Sequence, residues 1–159
     1  MKNFAILFLI AVLSFVACSG ASSIVKKSWK NANNSLAIID MTRSGGSAMD
    51  AGAFLHRALE ETLLTTNFVV SDESANYKLK YKVIDYEEGN RWKRLAAIGA
   101  LSKVGQSKLR VQAALFHGKK LVGRWDIESW LNDGLFGGPE KILFKKAADE
   151  IVEHLKGDY

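Results

Sequence analysis

The chain has 159 residues, with 22 Lys and Arg against 17 Asp and Glu and a formal charge of +5. Its one cysteine excludes an internal disulfide and a thiolate zinc cluster, so a hydrophobic core must hold the fold alone. The basic excess favours an anionic partner, and its placement along the chain matters more than its total.

The chain opens with MKN and then FAILFLIAVLSFVA, Phe4 to Ala17, apolar except for Ser14. A short charged start before a short apolar run is the layout of a secretory signal. The run falls short of the roughly 20 apolar residues that a spanning helix needs, and no later stretch is longer. The domain that follows is therefore expected to be soluble. Val16-Ala17-Cys18-Ser19-Gly20 resembles a bacterial lipobox, with Phe15 where leucine is usual. That resemblance implies cleavage before Cys18 and diacylglycerol on its sulfur. Ser19, standing where an inner-membrane retention signal carries Asp, implies the outer membrane. The alternative is an ordinary signal helix, cleaved nearby, with Cys18 lost. A catalytic cysteine needs a base held beside it, and nothing so near a cleavage site provides one. Residues 1–17 are thus expected to be removed, leaving 142 residues with 21 basic and 17 acidic side chains. That length suffices for one domain.

Residues 18–34, rich in Ser, Asn and Lys, read as a tether, and the folded domain as 35–157. Leu36-Ala37-Ile38-Ile39-Asp40 suits a short buried strand. Ser47 and Asp50 form a capping-box pattern, and Phe54, Leu55, Ala58, Leu59, Thr62 and Leu63 recur at helical spacing over about 48–65. Asn67 to Ser71 is the next strand, so the start is β-α-β and favours a parallel pair. YKLKYKVIDY alternates, with Tyr77, Leu79, Tyr81 and Val83 on one face and Lys78, Lys80 and Lys82 on the other. Leu109, Val111, Ala113 and Leu115 alternate likewise, and His117-Gly118-Lys119-Lys120 turns the chain into a hairpin with 121–130. A last helix opens at Pro139, carries an apolar stripe from Phe144 to Leu155, and stops at Gly157. The expected fold is α+β or α/β, ordered β-α-β-β-β-β-α. It has one mixed sheet of about five strands, two helices packed on one face, and a wet, lysine-bearing opposite face.

From Gly89 to Gly123 there are eight basic residues and no acidic one. Arg91, Trp92, Lys93, Arg94, Lys103, Lys108 and Arg110 are the candidate partner- or membrane-binding residues in this strip. LAAIGAL, between them, either packs into the domain as a connection or rests on a membrane surface, where each well-placed basic residue contributes ~1 kcal/mol. Nucleic acid, the other use of basic residues near an aromatic, conflicts with an export signal. NDGLFGGPE has no P-loop pattern and reads as a tight connection into a helix. His56, His117 and His154 lie far apart, no pair has metal-ligand spacing, and no serine has a nucleophile-elbow context. The sequence therefore points to a non-enzyme with no cofactor beyond the lipid on Cys18.

GNRWKRLAAIGALSKVGQSKLRVQAALFHGKKLVGRWDIESW followed by GLFGG resembles a bacterial lipoprotein family that carries a domain of unknown function. Gly89, Arg91, Arg94, Gly99, Gly105, Gly118, Lys119, Gly137 and Gly138 carry that resemblance. The first half, a strand, a helix and then NFVVSD, is similar to periplasmic lipoproteins of the curli-secretion and penicillin-binding-protein-activator type. These resemblances imply an αβ domain that contacts other envelope proteins. The leading expectation is a lipid-anchored accessory protein of the envelope facing the periplasm. The alternative is a module for an anionic ligand, envelope polymer or membrane surface, acting through residues 89–123.

Overall fold

The computed structural model describes residues 19–27, 35–43, 47–71, 75–89, 107–131 and 141–157. They form one open mixed sheet of six strands with two helices. In chain order the elements are β1 (Ser19–Lys27), β2 (Ser35–Asp40), α1 (Ser47–Leu63), β3 (Val69–Val70), β4 (Tyr77–Glu87), β5 (Ser107–His117), β6 (Lys120–Leu131) and α2 (Lys141–Lys156). The strands lie side by side as β1-β6-β5-β4-β2-β3.

The long strands form because their apolar residues fall at every second position. Tyr77, Leu79, Tyr81 and Val83 of β4 are buried, as are Leu109, Val111, Ala113 and Leu115 of β5 and Trp125, Ile127 and Leu131 of β6. Antiparallel pairing keeps these residues in rows: Tyr81 lies opposite Ala113, and Ala113 opposite Trp125. All of them face one side, where both helices pack. Ala51, Leu55, Leu59 and Leu63 of α1, four residues apart, bring one face of that helix to the sheet. Leu143, Ala147, Ala148, Ile151, Val152 and Leu155 do the same for α2. Gly157 follows α2 with φ of 75°, a left-handed value that closes the helix where a side chain would be strained. Gly118, with φ of 58°, is the first of two residues turning β5 into β6, where a type II′ hairpin turn demands glycine.

The β2–α1–β3 unit pairs its strands in parallel as expected, but β3 is only two residues long, Val69 and Val70. Ser71 N donates to Leu36 O, and β4 lies on the other side of β2, also parallel to it. One expectation is corrected. Ser19–Lys27, read as part of a tether, is a nine-residue strand antiparallel to β6, with Ser19 opposite Leu131 and Val25 opposite Trp125. Its composition is polar because it is an edge strand with one neighbour, so few of its side chains meet the core. The sheet therefore has six strands instead of about five. Cys18, residues 1–17, read as a signal, and the glycine-rich stretch 132–140, with the expected helix start at Pro139, lie outside the described residues.

Candidate functional site

Three places bring polar or exposed groups together. The first joins β1 to α2. Ser23 Oγ lies 2.6 Å from Glu150 Oε1 and 2.6 Å from His154 Nε2. A serine, a histidine and a carboxylate in contact invite a catalytic reading, and the geometry refuses it. Ser23 spends its only hydroxyl hydrogen on Glu150, so His154 Nε2 must donate to Ser23 Oγ. A general base would accept there. Glu150 also lies on the same nitrogen of the ring, 3.7 Å away, instead of orienting the imidazole from its far side. The ring is stacked on Trp125, with centroids 5.2 Å apart and planes 10° apart. Burial pushes His154 below the usual histidine range, against the opposing pull of Glu150. This is a buried staple that ties an edge strand to a helix.

The second lies where the end of β2 meets the start of α1. Tyr81 Oη donates to Gly52 O at 3.1 Å, so His56 Nδ1, 3.2 Å away, is the donor to Tyr81. Asp40 accepts from Thr42 N at 2.7 Å, and Thr42 Oγ1 accepts from Val83 N. A side chain on Gly52 would put its Cβ 2.5 Å from Asp40 Oδ2, so glycine lets α1 approach β2 this closely. Burial, then the Asp40 carboxylate, push the Tyr81 hydroxyl far above its usual range. It remains a neutral donor. Every polar group here has a structural task.

The third is the outer face of the sheet, which neither helix covers. Its side chains form rows across the strands. Arg124 of β6, Ala114 of β5 and Lys80 of β4 make one row, and Asp126, Gln112 and Lys82 the next. Leu121, Phe116 and Lys78 make the row on the other side. Ala114 is the small residue in the middle. Around it Lys80, Lys82, Gln112, Phe116, Leu121 and Arg124 rim a shallow depression of about 210 Å³. Lys80 Nζ stands 5.2 Å over the Phe116 ring. Among the described residues, Lys78, Lys80, Lys82 and Arg124 make no ion pair. The acidic residues of this face are engaged or lie further along. Asp126 Oδ2 is 3.6 Å from Lys26 Nζ, and Asp85 is 3.4 Å from Arg110 Nη2.

Of the residues expected to bind, only Lys108 and Arg110 fall within the described residues. Cys18, Arg91, Trp92, Lys93, Arg94 and Lys103 lie outside them. Lys108 sits between Glu87 and Trp130, and Arg110 is paired with Asp85 and stands opposite Glu128. These two cations therefore meet acidic neighbours. The unpaired cations are on β4 and β6 and were missed as a group. The Lys78-Lys80-Lys82 alternation marked a wet face, but nothing in the sequence joins it to Arg124, more than forty residues away.

A further groove runs between the helices. Phe54, Ala58 and Phe144 floor about 470 Å³, and Lys141 pairs with Glu61 at its rim at 3.3 Å. Among the described residues there is no cluster of His, Cys, Asp or Glu suited to a metal ion. No helix among them is long and apolar enough to cross a membrane.

No protein-family model matches the sequence, and no curated protein is similar to it. Solved structures are similar in fold. The PelC dodecamer from Paraburkholderia phytofirmans matches with a TM-score of 0.51 and 11% identity, over 84% of this chain and 98% of that one. A second crystal form of a PelC variant from the same organism gives 0.48 and 10%, over 89% and 100%. A Xanthomonas campestris protein of the domain-of-unknown-function family DUF330 gives 0.48 and 15%, over 84% and 90%.

Proposed function

We propose that this chain is a bacterial envelope-associated protein that works by binding, held to the outer membrane by lipid on Cys18 and facing the periplasm. The observation that carries the reading is the uncovered outer face of the sheet. It carries Lys78, Lys82, Arg110 and Arg124 in the open, whereas the clusters that resemble chemistry are closed into structural hydrogen bonds. On this reading the protein has no catalytic residue and no cofactor, and it serves another envelope component as an accessory subunit.

Because Ser19 already opens β1, a lipid on Cys18 sits one residue from the sheet. The domain is then held against the membrane at the end where Gly20, Trp130 and Lys108 form a row. Trp130 is amphipathic and suits that boundary. The test is fractionation of cells expressing wild type and Cys18→Ser. The wild type is expected in the outer membrane, and the variant released or left unprocessed. A variant that stays membrane-bound, with a wild type that carries no lipid, would sink the anchor. Crosslinking in intact cells identifies the partner.

A second reading is favoured by the cations on β4 and β6 that make no ion pair among the described residues: a module for an anionic ligand. It differs from the sequence-based alternative in its residues, which are Lys80, Lys82 and Arg124 and not the strip of residues 89–123.

A further inference from the structure

We infer that the depression over Ala114 is a binding site for the oxyanion, phosphate or carboxylate, of a soluble ligand that also has an apolar part. The inference deepens the second reading above and rests on it. Three observations carry it. Alanine at the centre of a ring of long side chains leaves a hole on an otherwise filled face. Lys80 and Arg124 flank that hole from the two neighbouring strands, so their Cα atoms stand about 10 Å apart, two strand spacings. Side chains of that length can reach a group of phosphate size between them, Lys80 by swinging its Nζ from the Phe116 ring. Arg offers paired N–H donors, Lys80 and Lys82 point charges, and Gln112 an amide.

The cations lack carboxylate partners among the described residues, while Lys26, Arg110, Lys141 and Lys145 have them. Phe116 and Leu121 wall one side, so the site is not polar all round. Lys80 Nζ stands over the Phe116 ring, and a ligand that draws it toward the hole exposes an apolar wall, so an oxyanion on an apolar body fills both halves. Asp126, next to Gln112 in its row, is the nearest carboxylate and repels an anion from that side. Its Oδ2 is 3.6 Å from Lys26 Nζ on β1, and its Oδ1 is buried with no hydrogen-bond partner among the described residues.

Position separates a soluble ligand from a lipid headgroup. Ala114 is six residues along β5 from Lys108, the row next to Ser19 and hence to Cys18. Six residues of strand span about 20 Å. Near the proposed anchor the outer face is mixed in charge, with Glu87, Asp85 and Glu128 beside Lys108 and Arg110. The excess of cations begins only at the far end.

The experiment is NMR titration of the full chain in non-ionic detergent, following the Gln112 side-chain amide and the Ala114 amide. The probes are inorganic phosphate, phenyl phosphate and phosphatidylglycerol micelles. Phenyl phosphate is expected to saturate both signals and to bind about tenfold tighter than inorganic phosphate, from the apolar contact. Arg124→Gln should weaken both phosphates about tenfold. Ala114→Leu keeps every charge, fills the hole and should abolish saturation, with an unchanged melting curve as the control for folding. Binding by Ala114→Leu equal to wild type would overturn the site. Equal affinity for both phosphates would overturn the apolar half. Tighter saturation by phosphatidylglycerol would replace the soluble ligand with a membrane. None of these outcomes depends on whether Cys18 is lipidated, so this site and the anchor fail separately.

Discussion

At the residue scale, Ser23 shows how one hydroxyl can hold two elements together. It donates to Glu150 and accepts from His154, both on α2, while its own strand is at the edge of the sheet. Replacing it with alanine removes the shared partner of two groups that sit against the core. Ser23→Ala should therefore cost about 1–3 kcal/mol, read as a shifted urea midpoint with unchanged slope. His154 adds a pH dependence. Burial lowers its proton affinity in the folded state, so the unfolded chain binds that proton more readily. The stability it contributes is complete above the ordinary histidine value of about 6.5 and is lost as pH falls from there through the folded value. Urea midpoints should fall between neutral and mildly acidic pH, and His154→Gln should flatten that part of the profile. Tyr81→Phe removes the hydrogen bonds to Gly52 O and from His56 Nδ1 together and should cost about 1–2 kcal/mol.

At the element scale, two glycines make room for tryptophan rings, Gly123 for Trp125 on its own strand and Gly20 for Trp130 on the neighbouring one. A Cβ on Gly123 would come within 2.7 Å of the Trp125 ring, and one on Gly20 within 2.5 Å of the Trp130 ring. Trp125 is buried in the core and holds His154 on its face, so Gly123→Val should overpack that stack. A loss of about 1–3 kcal/mol is expected, with altered near-ultraviolet circular dichroism. Gly20→Val displaces a partly exposed ring at the edge and should cost less. β1 itself caps β6. Deleting Ser19–Lys27 uncovers a twelve-residue edge and removes the Ser23 staple, so the shortened domain should melt lower and scatter light at concentrations where the whole domain stays clear.

At the scale of the whole molecule, the sheet has a dry side and a wet side, and the wet side is graded along the strands. The end next to Ser19 carries both signs, and the end next to the β5–β6 turn carries unpaired cations. Binding at that far end should weaken as salt rises, because exposed charges are screened within about 8–10 Å at physiological ionic strength. Contacts made by the apolar groove between α1 and α2 should persist. Measuring one partner's affinity across a salt series therefore tells which surface it uses. A partner whose affinity ignores salt does not sit on the Lys80–Arg124 end.

The sequence by itself determined both helices, the long strands β4, β5 and β6, their hairpin, and the buried faces of β4 and β5; in α1 the expected stripe held Leu55, Leu59 and Leu63 but also Phe54, which is half exposed. Those features follow from local periodicity, and Gly118 and Gly157 mark positions where only glycine is unstrained. The sequence also carried the lipobox-like Cys18, because a signal is read as linear text. Only the tertiary structure decided that Ser19–Lys27 is a strand and not a tether. An edge strand with a single neighbour needs little hydrophobic patterning, so its local signal is weak. Likewise, only strand pairing brought Lys80 and Arg124 to either side of Ala114. Each residue alone looks like an ordinary solvated position. Their meeting depends on register across three strands, a long-range property that no local pattern encodes.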